Sequence, residues 1–101
     1  MKSKILLGKI LQRFEDQEYA KVDGYNRFNL VKSGETFVTV LRQKGTETKV
    51  DFKRLLIGID FYKENISAYD KGPTALRRAG ITHITSPVFS LLHLLKKAAY
   101  K

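Results

Sequence analysis

Three strand-like segments in the middle of the chain constrain its fold more than any other feature of the sequence. They cover roughly Arg27–Val31, Phe37–Arg42 and Thr46–Asp51, and the links between them, KSGE and QKGT, each carry a glycine. Short links of this kind join neighbouring antiparallel strands as hairpins. The middle segment, FVTVLR, is apolar or β-branched on both faces, which is typical of a central strand. The sequence therefore predicts a three-stranded antiparallel β-meander.

The third of these segments runs directly into a predicted helix. Asp51 is a favourable N-cap for a helix from Phe52 to about Glu64, whose apolar stripe is wide enough to bury most of its surface. The strand itself alternates between two faces, and such alternation predicts that one face is buried and the other is solvated. The two sets are Thr46, Thr48 and Val50 on the buried face, and Glu47, Lys49 and Asp51 on the solvated face.

The N-terminal segment predicts an amphipathic helix, because its apolar residues recur with a period of 3.6. Ser3 is the expected N-cap, and Gly8 inside the helix implies a closely packed neighbour, since glycine weakens a helix by about 1 kcal/mol relative to alanine. We expect this helix to end before Lys21. The next strand is expected to begin near Tyr25, after a turn at a DG pair. The alternative is that EYAKVDGYNRF forms a tight hairpin with a strand on each side of that turn.

The C-terminal third of the chain predicts several short elements. Pro73 opens two short helical turns that Gly80 ends, and ITHIT has the composition of a short strand. A last helix is expected to begin at Ser86-Pro87 and to run through Ala99. The predicted order is α-β-β-β-α-α-β-α, which describes one compact α+β domain spanning residues 1–101.

The charge of the chain is strongly positive and unevenly distributed. Nineteen Lys and Arg residues against ten Asp and Glu give a formal net charge of +9, and the last 30 residues contain no acid. An excess of this size is typical of proteins that bind a polyanion, although it also keeps a small protein dispersed in water. We expect nucleic acid to be the polyanion, and DNA in particular.

The composition excludes several other classes of protein. There is no cysteine, so disulfides, thiolate chemistry and zinc fingers are absent, as expected of a cytoplasmic protein. The longest nearly apolar run, VFSLLHLL, has eight residues, whereas a membrane-spanning helix needs about 20. We therefore expect no membrane contact.

The first turn of the second helix is a candidate phosphate site. Lys53 and Arg54 occupy a helix end whose dipole favours negative groups, and a bound phosphate would contact both side chains and the helix amides. Arg42 and Lys44 of the preceding hairpin are expected to extend the same patch. The alternative interpretation is that Asp51 already offsets the dipole and that the basic side chains only contact water.

Two further basic groups are candidates for nucleic-acid contacts. Lys49 and Arg42, with Arg27 or Asn29, are expected on the solvated face of the sheet, which can enter a DNA groove. Arg77-Arg78 form a second candidate contact, in a segment free of acids. The predicted nucleic-acid-binding set is Arg42, Lys44, Lys49, Lys53, Arg54, Arg77 and Arg78.

The last helix is apolar around nearly its whole surface, so it cannot serve as the recognition helix of a helix-turn-helix. Two interpretations remain open. The helix is either buried in the core, or it pairs with a second copy of itself or with a larger partner, in which case the chain is a protein-interaction module or a small subunit. The residues that would form the dimer contact are Val88, Leu91, Leu92 and Leu95.

Catalysis has little support in the sequence. His83 and His93 have no spacing that indicates a metal site, and no cofactor-binding motif is present. The order of elements resembles the core of metal-dependent nucleases, in which a Glu-x-Lys and an acid on the preceding strand bind magnesium. Glu47 and Lys49 match the Glu-x-Lys, but the preceding strand has no acid. We therefore expect a non-catalytic DNA-binding domain without a cofactor.

Overall fold

The computed structural model describes all of residues 1–101 and contains one sheet, three α-helices and three 3₁₀ helices. The strands are β1 (Tyr19–Ala20), β2 (Phe28–Ser33), β3 (Phe37–Arg42) and β4 (Glu47–Asp51). The α-helices are α1 (Ser3–Gln17), α2 (Phe52–Glu64) and α3 (Thr85–Leu92). The 3₁₀ helices are Ile66–Asp70, Pro73–Ala79 and Lys97–Tyr100.

The sheet has four antiparallel strands in the order β1-β2-β3-β4. The predicted antiparallel meander is therefore confirmed, but the prediction had three strands and the sheet has four. The additional strand, β1, comes directly after α1. Glu18 ends that helix with a left-handed backbone, φ 68°, and its carbonyl accepts a hydrogen bond from the Leu30 N–H at 2.9 Å. The chain therefore joins the sheet well before Tyr25, where the first strand was expected.

The register of the sheet separates a covered face from an open one. Val38 is paired with Val50 on the covered face, and both are buried. Glu47 and Lys49 alternate with them on the open face and are exposed, which confirms the predicted alternation of β4. A bulge at Val31 in β2 shifts the pairing by one residue.

Helix α1 begins at Ser3, the residue that was expected to cap it, so the N-cap position is Lys2. Ser3 lies inside the helix, and its hydroxyl donates a hydrogen bond to the carboxylate of Asp60 in α2 instead of capping α1. The close neighbour expected at Gly8 is absent, since nothing lies within 4 Å of a Cβ built there. The close approach occurs instead at Gly58 of α2, where an added Cβ would lie 2.8 Å from Leu92 Cδ1.

The C-terminal third differs from the sequence prediction. The expected strand ITHIT does not form, and its residues pair with no strand of the sheet. Helix α3 begins at Thr85 and ends at Leu92 rather than at Ala99. The chain then turns back, so that the hydroxyl of Tyr100 donates to the carbonyl of Leu92 and satisfies the end of the helix.

One hydrophobic core joins the covered face of the sheet to the helices, which makes the chain a single compact α+β domain. Helix α3 lies inside that core. No helix of the protein is both long and apolar enough to cross a membrane. The residues predicted for a dimer contact, Val88, Leu91, Leu92 and Leu95, are at most 2% exposed.

Candidate nucleic-acid interface

The largest depression of the surface lies where β4 passes into α2, and we call it the helix-start cleft. Its volume is about 730 Å³. It brings together three of the predicted residues, which come from a strand and from the first turn of a helix. The cleft is lined by Lys49, Lys53 and Arg54, by Phe37, Phe52 and Leu56, and by Glu35, Thr36 and Asp51.

Backbone pairing fixes the walls of this cleft. Phe37 is the antiparallel partner of Asp51, and the N–H of Phe52 donates to the carbonyl of Thr36 at 2.8 Å. These contacts hold the start of α2 against the start of β3. The ammonium of Lys49 lies 4.9 Å from the centre of the Phe37 ring, within the range of a cation–π contact. A cationic group and an aromatic ring are therefore adjacent in the cleft.

The charges of the helix-start cleft only partly cancel. Arg54 Nη1 lies 2.9 Å from Asp51 Oδ1, and this ion pair uses the carboxylate that was expected to offset the helix dipole. Asp51 caps no helix amide with its side chain. The other ion pair of the protein lies elsewhere, between Lys97 and Asp70. Lys49 and Lys53 therefore lack a carboxylate partner, and the remaining acid in the cleft is Glu35.

Arg42 and Lys44 line a different cavity, at the turn between β3 and β4, which we call the hairpin notch. Its volume is about 270 Å³, and Asn26, Gln43 and Thr46 complete its wholly polar lining. No acid lines it. The carbonyl oxygen of the Gln43 side chain accepts the backbone N–H of Arg27 at 3.3 Å, which ties the turn to the segment before β2.

The expected position of Arg42 on the solvated face is wrong. Arg42 is the cross-strand partner of the buried Phe28, so it belongs to the covered side of the sheet. Its guanidinium carbon lies 5.8 Å from the centre of the Phe28 ring. Arg42 therefore lies at the margin of the core, half-buried, where its stem packs and its charged end reaches the notch.

The helix-start cleft and the hairpin notch do not form one continuous patch. They lie at opposite ends of β4, a strand of five residues that spans roughly 17 Å. The open face of the sheet connects them. Near the notch this face carries Arg27, whose guanidinium lies 3.9 Å from the Tyr19 ring and donates to Asn29 at 2.8 Å. Arg27 and Asn29 thus lie on the open face, as the sequence predicted.

Arg77 and Arg78 lie apart from both cavities, on the 3₁₀ helix Pro73–Ala79. Both are exposed. The guanidinium of Arg78 lies 5.6 Å from the ring of Phe61 on α2, so this side chain has a packing contact of its own.

The residues that were considered for catalysis do not form a cluster. Glu47 and Lys49 lie side by side on the open face, and no group of three or more His, Asp or Glu side chains is placed to hold a metal ion. His93 has a structural position, because its two ring nitrogens lie 2.9 Å from the carbonyl oxygens of Phe89 and Tyr69.

Several residues that line the two cavities were not predicted from the sequence. Phe37 and Phe52 in the cleft, and Asn26 and Gln43 in the notch, were not among the predicted contacts. Phe52 could have been predicted, because it directly precedes Lys53 at the start of α2. Searches of protein-family models, of curated proteins and of solved structures returned no significant match to this chain.

Proposed function

We propose that this chain is a non-catalytic DNA-binding domain whose main contact is the helix-start cleft. The observation that carries the proposal is that Lys49 and Lys53 converge on one cleft and have no carboxylate partner. Two such ammonium groups form a favourable site for phosphate oxygens. The net charge of +9 draws a polyanion toward the protein over a distance of about a Debye length.

The chemistry of the cleft favours a strand with exposed bases. Phe37 and Phe52 line the same depression as the two lysines. Bases of a single strand can stack on aromatic rings, whereas the bases of a duplex are already stacked on each other. We therefore expect single-stranded DNA to bind more tightly than duplex DNA of the same length.

Because the chain has no cysteine, we place this activity in the reducing cytoplasm.

The test is fluorescence anisotropy of labelled single-stranded and duplex oligonucleotides, titrated at several salt concentrations. The variant Lys49→Ala/Lys53→Ala should weaken binding and make the log–log salt slope shallower by about 1.5, since each phosphate contact contributes about 0.7 to 0.9. Lys2→Ala/Lys4→Ala is the matched control, because it removes the same charge. That pair lies where α1 contacts Asp60, two turns of α2 away from Lys53.

Equal losses in the cleft variant and in the control variant would overturn the proposed contact and leave only a general charge effect. No binding of either oligonucleotide at low salt would overturn the function itself. Circular dichroism of both variants shows whether the fold is retained.

The alternative function, a homodimeric interaction module, has lost its main support. Its four contact residues, Val88, Leu91, Leu92 and Leu95, lie inside the core of one folded chain. A contact between two copies through them would require α3 to leave its own domain.

A further inference from the structure

A second small cavity adjoins the hairpin notch, and we call it the Asn26 pocket. Its volume is about 240 Å³. Asn26 lines both this pocket and the notch, so the two cavities meet at that side chain. The walls of the pocket come from the segment before β2, from β2 and from helix α3. Its main lining residues are Tyr25, Asn26, Phe28, Ser86, Phe89 and Ser90.

The aromatic wall of the Asn26 pocket is held in place on two sides. The ring of Tyr25 contacts the ring of Phe89 edge to face, with the centroids 5.1 Å apart. The hydroxyl of Tyr25 lies against Gly72, where an added Cβ would be 2.9 Å away. Gly24, with φ 87°, makes the turn that presents Tyr25 to these partners. These two contacts position the ring of Tyr25 in the wall of the pocket.

The floor of the pocket contains an unpartnered polar group. Ser90 is 1% exposed, and its hydroxyl has no hydrogen-bond partner in the protein. Buried hydroxyl groups normally have a partner, so an orphaned one beside a cavity points to a ligand. Ser86 lines the same pocket one helical turn earlier, in the first turn of α3.

The cationic notch lies directly beside this aromatic pocket. Phe28 lines the pocket, and the Arg42 guanidinium lies 5.8 Å from the Phe28 ring. Lys44 adds a second cation to the notch, which no acid lines. The oxygen of the Gln43 side chain is already used by the Arg27 N–H, so its NH₂ group remains as a donor.

We propose that the notch and the Asn26 pocket form one site for a nucleoside 5′-monophosphate. The phosphate lies between Arg42 and Lys44, and the sugar and base enter the pocket beside Asn26, with an acceptor atom of the base bonded to the Ser90 hydroxyl. The two cavities together have the size of an ordinary small-molecule site, about 300–1,000 Å³. An asparagine amide can pair with a base edge, and the ring of Tyr25, which is 41% exposed, suits its apolar body.

This inference rests on the proposed function, because the nucleotide unit is then the 5′ end of the bound DNA strand. A free nucleotide has the same chemistry, and the experiment separates the two sources. Labelled single strands with a 5′-phosphate and with a 5′-hydroxyl are compared by anisotropy, and AMP and dCMP are titrated alone by NMR. We expect the 5′-phosphorylated strand to bind about tenfold more tightly, as one additional charge-assisted phosphate contact predicts.

Two variants test the site itself. Arg42→Gln should remove the preference for the phosphorylated end, and Ser90→Ala should weaken binding of both strand ends, because the base enters the pocket in either case. Ser67→Ala, at an exposed position of the 3₁₀ helix Ile66–Asp70, is the control and should have no effect.

The outcomes of these titrations lead to different conclusions about the site. Saturable binding of AMP or dCMP that Ser90→Ala weakens, with no preference for either strand end, would support the site and assign it to free nucleotides. Equal binding of both strand ends together with no nucleotide binding would overturn this inference. The proposed DNA-binding function would survive that result if Lys49→Ala/Lys53→Ala still weakened strand binding.

Discussion

Gly58 of helix α2 lies directly against two side chains of helix α3. An added Cβ would lie 2.8 Å from Leu92 Cδ1 and 3.5 Å from Val88 Cγ1, and both side chains are completely buried. Gly8 is also in a helix, but nothing lies within 4 Å of its added Cβ. The same substitution at these two glycines should therefore have opposite effects.

We expect Gly58→Ala to lower the free energy of unfolding by about 1–2 kcal/mol, because overpacking of the core exceeds the gain in helix propensity. Gly8→Ala should raise it by about 0.5–1 kcal/mol, since only the propensity changes. Urea unfolding followed by circular dichroism measures both. A stabilising Gly58→Ala would show that α3 can move away from α2 at little cost.

Two buried tyrosines differ in whether their hydroxyl groups have partners. Tyr62 is fully buried and its hydroxyl has no partner, whereas Tyr100 donates to the carbonyl of Leu92. We expect Tyr62→Phe to be neutral or to stabilise the protein by up to about 1 kcal/mol, since an unpaired polar group is removed. Tyr100→Phe should destabilise it by about 1 kcal/mol. Thermal unfolding of the two variants side by side checks the difference.

The basic residues of the cleft could be predicted from the sequence, because Asp51 and the apolar stripe fix where α2 begins. The side of the sheet to which Arg42 belongs could also have been read. Arg42 is two residues after Val40, and alternation in a strand puts both on one face. The separation of cleft and notch could be predicted as well, because the expected strand Thr46–Asp51 has nearly the bounds of β4 and an extended strand keeps its two ends apart. The notch itself could not, since Asn26 joins its lining from a separate segment of the chain.

Strand β1 depends on the left-handed residue that ends α1. Glu18 has φ 68°, a conformation that costs a residue with a Cβ more than it costs glycine. We expect Glu18→Gly to stabilise the protein by about 0.5–1 kcal/mol. Glu15→Gly, at an exposed position inside α1, should destabilise it by about 1 kcal/mol. Chemical denaturation of both variants tests this, and equal losses at the two sites would contradict the assigned helix end.

The elements that the sequence predicted well have signals in their own residues. Helix α2 has an acidic residue before it and a broad apolar stripe, and its predicted bounds are confirmed. β1 has two residues, too few for any periodicity. ITHIT has strand composition but no neighbouring strand, and β-propensity alone does not form a strand.

The predicted last helix was longer than the observed helix α3, for a related reason. Its leucine-rich pattern continues past Leu92, but hydrogen bonds from Leu94 to Leu91 and from Leu95 to Leu92 span three residues instead of four. Tyr100, eight residues further along the chain, then donates to the carbonyl of Leu92 at this helix end. A contact of that kind is a property of the folded chain and has no local signal.

At the scale of the whole molecule, a cluster of tyrosines joins elements that are distant in sequence. Tyr62 of α2 lies edge to face with Tyr69 at 5.5 Å and with Tyr100 at 5.3 Å between ring centres. Tyr69 and Tyr100 belong to two different 3₁₀ helices, and the hydroxyl of Tyr69 donates to the carbonyl of Leu95 at 2.6 Å. The packing of α2 therefore depends on the last residues of the chain.

This cluster makes the stability of the fold sensitive to high pH. Burial raises the pKa of Tyr62 and of Tyr100 above the ordinary value of 10.0, and neighbouring tyrosines add to the shift. Burial, with Asp70 nearby, also raises the pKa of Tyr69. A raised pKa means that the folded protein keeps a proton that the unfolded chain releases. The stabilisation is complete below about pH 10 and is lost as the pH rises further.

We expect the free energy of unfolding to fall above pH 10 by about 1.4 kcal/mol per pH unit for each of Tyr62 and Tyr100. Lysines titrate in the same range, so the matched comparison is Tyr62→Phe, whose pH dependence should be shallower by one such contribution. Urea unfolding at pH 8, 10 and 11 measures the slopes, and absorbance at 295 nm follows tyrosine ionisation. Identical slopes for the two proteins, or ionisation of every tyrosine before any unfolding, would show that water reaches the cluster in the folded state.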